Sequence, residues 1–211
     1  ITGTGVNGDT ITLYEGSNSI GTATVASSAW SITPSALSDG SYTITAKATD
    51  PAGNESAAST SQTVVIDTTA PTISSITVAS NNSTTTLAKE SNTITFKVGF
   101  SESVTLSKAS DVKVPFTIGG GSTLSAIAQS TTTATIGGTA YAINFTYSVP
   151  SGVNGAVALV AGALTLANSA TVLDAATNAL TGNMSSLTGS VTVDTTAPSI
   201  VINGTFVKSL C

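Results

Sequence analysis

Tyr42-Thr43-Ile44-Thr45-Ala46-Lys47-Ala48-Thr49 puts Tyr42, Ile44, Ala46 and Ala48 on one face of an extended chain and the other four residues on the opposite face. Side chains along a strand alternate with a period of two, so this is a strand with one buried face. Ile11 and Leu13 repeat the pattern, and further strands are predicted at residues 19–25, 29–33 and 61–66. Asn7-Gly8, residues 16–18, Asp39-Gly40 and Asp50-Pro51-Ala52-Gly53-Asn54 supply the turns between them. Trp30 is the expected core plug. Strands this short, at this spacing, read as a β-sandwich. Further along, Ile94, Phe96, Val98 and Phe100 share one apolar face, and Tyr141, Ile143, Phe145 and Tyr147 share another. Strands are predicted there at residues 73–78, 92–100, 112–118, 125–129, 133–136 and 140–148, with several more within 156–193. No helical period appears, so the fold class is all-β.

Ile66-Asp67-Thr68-Thr69-Ala70-Pro71 returns as Val193-Asp194-Thr195-Thr196-Ala197-Pro198. Two copies of so specific a string mark repeat boundaries. The expected division is a sandwich over residues 1–66, a larger one over 67–193, and a linker with the first strand of a following repeat, or a donor strand to another copy, over 194–211. In the larger unit a strand follows the string at once. The first unit instead opens at Ile1-Thr2-Gly3 on what should be its second strand, and its first strand is absent or reduced to a stub.

Composition narrows the function. Only 8% of the 211 residues are charged, there is no His, and the six basic residues are Lys47, Lys89, Lys97, Lys108, Lys113 and Lys208. A net charge of −5 and a pI near 4.3 argue against nucleic acid, which needs clustered cations. Without Arg there is no bidentate phosphate recognition. Mean hydropathy of +0.34 implies either scattered small apolar residues on the surface or burial against other copies. One cysteine, Cys211, cannot form an internal disulfide. It is read as a processing end, with an intermolecular bridge as the alternative. No secretory leader is legible, so a mature or excised chain is expected. The most apolar stretch, residues 156–167, is too short to span a bilayer and reads as strands. With no His, no Gly-x-Ser-x-Gly elbow and only a terminal thiol, the chain is expected not to be an enzyme.

Leu13-Tyr14-Glu15-Gly16, Ile20-Gly21-Thr22-Ala23-Thr24, Ala29-Trp30-Ser31-Ile32-Thr33, Leu37-Ser38-Asp39-Gly40-Ser41-Tyr42 and Ala48-Thr49-Asp50-Pro51-Ala52-Gly53-Asn54 together resemble the bacterial immunoglobulin-like (Ig-like) repeats of giant cell-surface adhesins. Thr95-Phe96, Val98 to Val104, Ile118-Gly119-Gly120, Asn144 to Val149 and Leu173-Asp174 with Asn178 look like a longer repeat class of the same proteins. The resemblance implies tandem Ig-like β-sandwiches in an extracellular rod on the bacterial surface, often stiffened by calcium between domains. One departure stands out. The usual Asp-x-x-Gly-Asn loop reads Asp174-Ala175-Ala176-Thr177-Asn178, and loss of Gly is expected to change its backbone.

Calcium needs several hard oxygen ligands. With Ig connectivity, the end of the second strand and the loop before the last strand share the pole at which the chain comes in. For the second unit these are Glu102 and the loop from Asp174 to Asn178, joined by Asp67 from the linker. Carboxylates gathered without a cation would repel; the alternative is that each Asp caps its own turn. The same logic assigns Glu15, Asp50 and Asn54 to the first unit, with Asp194 of another copy completing that set. The expected partners are therefore neighbouring Ig-like repeats, or further copies head to tail with residues 199–207 filling the missing first strand. No membrane insertion is expected, and no glycan receptor is identified. A carbohydrate-binding module is a third reading and would need an exposed ring such as Tyr14. Lys47 and Lys97, considered for isopeptide bonds, read as solvated. The glycosylation-like sites at Asn82 and Asn144 read as chance in a chain rich in Ser and Thr.

Overall fold

The computed structural model describes residues 1–136 and 139–201. Lys208, Cys211 and most of the expected strand at 199–207 lie outside the described residues. The chain divides into two compact units, Ile1–Thr69 and Ala70–Cys211, with the division inside the first copy of the repeated string. Both are all-β; the described helical content is one 3-10 turn at Ala109–Asp111.

The first unit holds β1 (Thr2–Thr4), β2 (Thr10–Glu15), β3 (Asn18–Thr24), β4 (Ala29–Ser31), β5 (Gly40–Thr49) and β6 (Gln62–Ile66). One layer is the antiparallel sheet β3-β2-β5-β6 and the other is the pair β1-β4. Ile11, Leu13, Ile20, Val25, Ile32 and Ile44 form the buried core between them. Trp30 corrects its expected place: it is half-buried at the rim of this core. A Cβ on Gly3, its cross-strand partner, would stand 2.5 Å from the indole ring, so the ring occupies the space that a side chain at this position would take.

The second unit holds β7 (Ile73–Ser80), β8 (Leu87–Ala88), β9 (Thr93–Phe100), β10 (Thr105–Leu106), β11 (Val112–Ile118), β12 (Leu124–Ala128), β13 (Ala134–Ile136), β14 (Thr139–Ser148), β15 (Gly155–Leu159), β16 (Thr165–Leu166), β17 (Val172–Leu173) and β18 (Thr192–Val193). Its main sheet runs β7-β9-β14-β12-β11-β15-β18-β8, and β10 pairs separately with β17. Side chains from β7 and β9 share one core with side chains from β11 and β18. Strands far apart in the order therefore meet across the interior, as in a sandwich. Ile94, Phe96 and Val98 are fully buried, as their alternation predicts, and so are Ile143 and Phe145. Tyr141 departs from its face: it is exposed, with a positive φ of 49°. No helix among the described residues is long and apolar enough to cross a membrane.

Candidate metal centre

In the second unit, β9 runs antiparallel to β7, and Phe100 stands opposite Ile73. The chain leaving β9 therefore returns to the pole where the chain comes in. There Ser101 N–H donates to the Thr72 carbonyl at 2.9 Å, and Thr181 N–H donates to the Pro71 carbonyl at 2.9 Å. Glu102 follows immediately. β17 reaches the same pole because Leu173 pairs with Thr105, and Asp174 is the next residue. A carboxylate oxygen of Glu102 lies within 4.8 Å of one of Asp174. The structure thus brings these two predicted residues together.

Asp174 is 5% exposed. Its two oxygens accept from the Asn178 backbone N–H and the Asn178 side-chain amide, both at 2.8 Å. Burial works against the charged form, but the Asn178 amide and the backbone N–H groups of Asn178, Ala176 and Thr177 outweigh it. The carboxyl is held below the usual carboxylate range and is ionised at neutral pH. Each carboxylate oxygen carries two lone pairs, so these bonds leave acceptor capacity for a cation. The donor set is all hard oxygen, which fits calcium.

The loop in the first unit is built the same way. Asp50 accepts from Ala52 N–H at 2.9 Å, Asn54 N–H at 2.8 Å and the Asn54 side-chain amide at 2.8 Å. The Asn54 amide, then its backbone N–H, hold the Asp50 carboxyl below its usual range. Loss of glycine in the second loop has not changed its backbone course, contrary to expectation. Thr177 takes the left-handed conformation (φ 75°) that Gly53 takes in the first (φ 89°), and both donate N–H to the leading Asp carbonyl. A β-branched residue there is strained by roughly 1–3 kcal/mol. Thr177→Gly is therefore expected to stabilise the second unit by about 1 kcal/mol, since part of the relief is offset by the extra freedom of glycine in the unfolded chain. Thermal unfolding checks it; an unchanged or lowered midpoint would refute the strain.

Glu15 requires a correction. It pairs with Ile44, whereas Thr10, at the other end of β2, pairs with Thr49 beside Asp50. Five residues at about 3.4 Å each put Glu15 and Asp50 at opposite poles of the unit. The second strand here is β1, and the residues after it, Asn7 and Asp9, occupy the pole that Glu102 occupies in the second unit. A Cβ on Gly8, between them, would lie 3.7 Å from the Pro51 ring. The Asn7 side-chain oxygen accepts from Ser28 N–H at 2.6 Å.

Asp67 and Asp194 share a local turn: each accepts, through a side-chain oxygen, the N–H two residues on, at 3.0 Å from Thr69 and 2.9 Å from Thr196. The threonine between fastens each string to the unit it leaves, which the sequence did not suggest. Thr68 donates its N–H and hydroxyl to Asp39, at 3.1 and 2.8 Å, and Thr195 donates its N–H to Asn154 at 2.7 Å. The Thr68 and Thr69 hydroxyls hold the Asp39 carboxyl below its usual range. The signal was available: Asp39-Gly40 and Asn154-Gly155 are matching dipeptides, each with its glycine opening a strand, β5 and β15. Lys47 pairs with Glu55 and lies 5.9 Å from the centroid of the Tyr14 ring, which is half-buried beneath it. Lys97, expected in solvent, donates to the Ile136 carbonyl at 3.2 Å.

Residues 1–68 match the bacterial Ig-like domain family. The Ig-like repeat read from the sequence is shown in the first unit. The match points to a structural, surface-associated domain of a typically non-catalytic kind. No curated protein matches the chain.

Proposed function

We propose that this chain is a non-catalytic structural segment of an extracellular bacterial surface filament or adhesin stalk, and that the pole of its second unit holds calcium. The observation that carries the cation is the approach of Glu102 to within 4.8 Å of Asp174, a buried carboxylate held ionised by its own loop. Two such charges repel, and a divalent cation with a preference for oxygen resolves the repulsion. Asp67 is proposed as a further ligand on its sequence position. It precedes by four residues Pro71, which Thr181 anchors at this pole. An extended chain covers about 3.5 Å per residue, so Asp67 is tethered within roughly 14 Å of that anchor.

Calcium at a hundredfold excess over its dissociation constant should stabilise the second unit by about 2.7 kcal/mol. A calcium titration followed by calorimetry checks this, with proteolysis across residues 67–72 as a second readout. Glu102→Gln should lose most of the response. Identical unfolding and identical cleavage in calcium and in chelator would reject the reading.

A further inference from the structure

The loops that open at Asp50 and Asp174 share one hydrogen-bonded frame but differ in the residue after the aspartate, Pro51 in the first and Ala175 in the second. In the first loop Asp50 N–H donates to the Asn54 carbonyl and Gly53 N–H donates to the Asp50 carbonyl, both at 3.0 Å. Ala52 N–H donates to the Asp50 carboxylate at 2.9 Å. That last bond closes a turn of side chain onto backbone. It folds the carboxylate back along the peptide bond from Asp50 to Pro51, toward its own carbonyl carbon. Pro51, Ala52, Gly53 and Asn54 are exposed, so water reaches the bond. A nucleophile, a donor on the oxygen that would gain charge and a proline leaving group thus stand around one peptide bond.

We infer that the first unit cuts its own chain between Asp50 and Pro51. A carboxylate oxygen of Asp50 adds to the Asp50 carbonyl carbon. The negative charge that develops on the carbonyl oxygen is met by the Gly53 N–H already bonded to it. The bond to the Pro51 nitrogen then breaks, its electron pair stays on nitrogen, and the nitrogen takes a proton from solvent. Proline favours this step because its tertiary amide nitrogen departs as a basic secondary amine. Water opens the cyclic anhydride left on Asp50, so one water is consumed and two chain ends are gained. The charged groups around the loop are Asp9, ahead of the Thr10 that pairs with Thr49, and Glu55, which pairs with Lys47. All six buried core side chains of the unit precede the cut. Beyond it, Ser56 and Ser59 N–H still donate to the Ala48 and Ala46 carbonyls, and β6 still pairs with β5. Cleavage therefore turns a covalent joint into a zipped one that tension can part. The step is a single event of the chain upon itself, and calcium in the second unit is not needed for it.

Trp30 is the only tryptophan, so its emission reports whether the first unit is folded. The intact chain is incubated with a chelator in the most acidic buffer that preserves the native Trp30 emission, since the leaving nitrogen needs a proton. Mass spectrometry should show fragments 1–50 and 51–211 appearing together. They should form at least about tenfold faster than in the same buffer with urea, because only the fold holds the carboxylate against the bond. Asp174-Ala175, framed alike but without proline, should stay intact in the same sample. Pro51→Ala should slow the cut by about tenfold or more. Asp50→Glu, which keeps the charge but sets the carboxylate one methylene further out, should abolish it, with Trp30 emission matching the parent in both variants. In oxygen-labelled water the label should divide between the two carboxyls of Asp50, the mark of an anhydride. Label in the main-chain carboxyl alone overturns the inference, as does an uncut chain or a folded chain cut no faster than the chain in urea.

Discussion

Phe116→Ala is expected to lower the unfolding temperature of the second unit by about 10–15 °C while leaving the first unit where it was. Phe116 is fully buried on β11, which pairs with β12, β15 and β16. Its ring lies 4.9 Å from Phe96 and 5.1 Å, edge-on, from Tyr147. Truncation removes the transfer energy of the ring, leaves a cavity that a three-strand neighbourhood cannot collapse into, and breaks two aromatic pairs. Such changes cost about 3–5 kcal/mol. At roughly 0.05–0.15 kcal/mol per residue, a unit of this size survives the loss, so the result is a shifted transition and not an absent one. The two buried cores share no side chain. Calorimetry should therefore show one transition moving while Trp30 fluorescence, which senses the first unit alone, stays in place. A common shift of both would mean that the units unfold together.

The strands were legible because alternation at 42–49 and 94–100 reports directly which face is buried. The candidate centre was legible in part, for a related reason. Glu102 and Asp174 follow strands whose directions bring both chain ends to one pole, and connectivity alone settles that. Glu15 failed because alternation tells which face a residue points to but not which end of a strand it occupies. β1 is only three residues long, and taking Glu15 as the counterpart of Glu102 moved it one strand along and so to the far pole. The Thr177 backbone was illegible in principle. Propensity forbids a β-branched residue there, and the bonds from Asn178 to Asp174 override it. The half-buried position of Trp30 was hidden for another reason: a large aromatic is taken for a core plug unless the edge strands beside it are known to be uncovered.

Leu13→Ala is expected to unfold the first unit outright or leave it on the edge of unfolding at room temperature. Leu13 is 1% exposed at the centre of a core with only six buried side chains. A unit spanning Ile1–Thr69 has roughly 3–10 kcal/mol of stability in total, and a buried Leu→Ala change removes about 2–5 of them. At mid-range values the loss is about half of what holds the unit together, whereas a change of similar chemistry in the second unit is absorbed. Leu13 also lines an apolar groove beside β1, so little packing on that side is available to close over the space left behind. The measurement is Trp30 emission against temperature. The variant should begin with exposed, long-wavelength emission, or lose the native signal far below the parent midpoint, while the calorimetric transition of the second unit is unmoved. Leu13→Met nearly conserves volume and should cost less than about 1.5 kcal/mol, which separates loss of packing from any effect of altering the strand itself. A Leu13→Ala midpoint within a few degrees of the parent would show that the first unit draws its stability from outside the six-residue core.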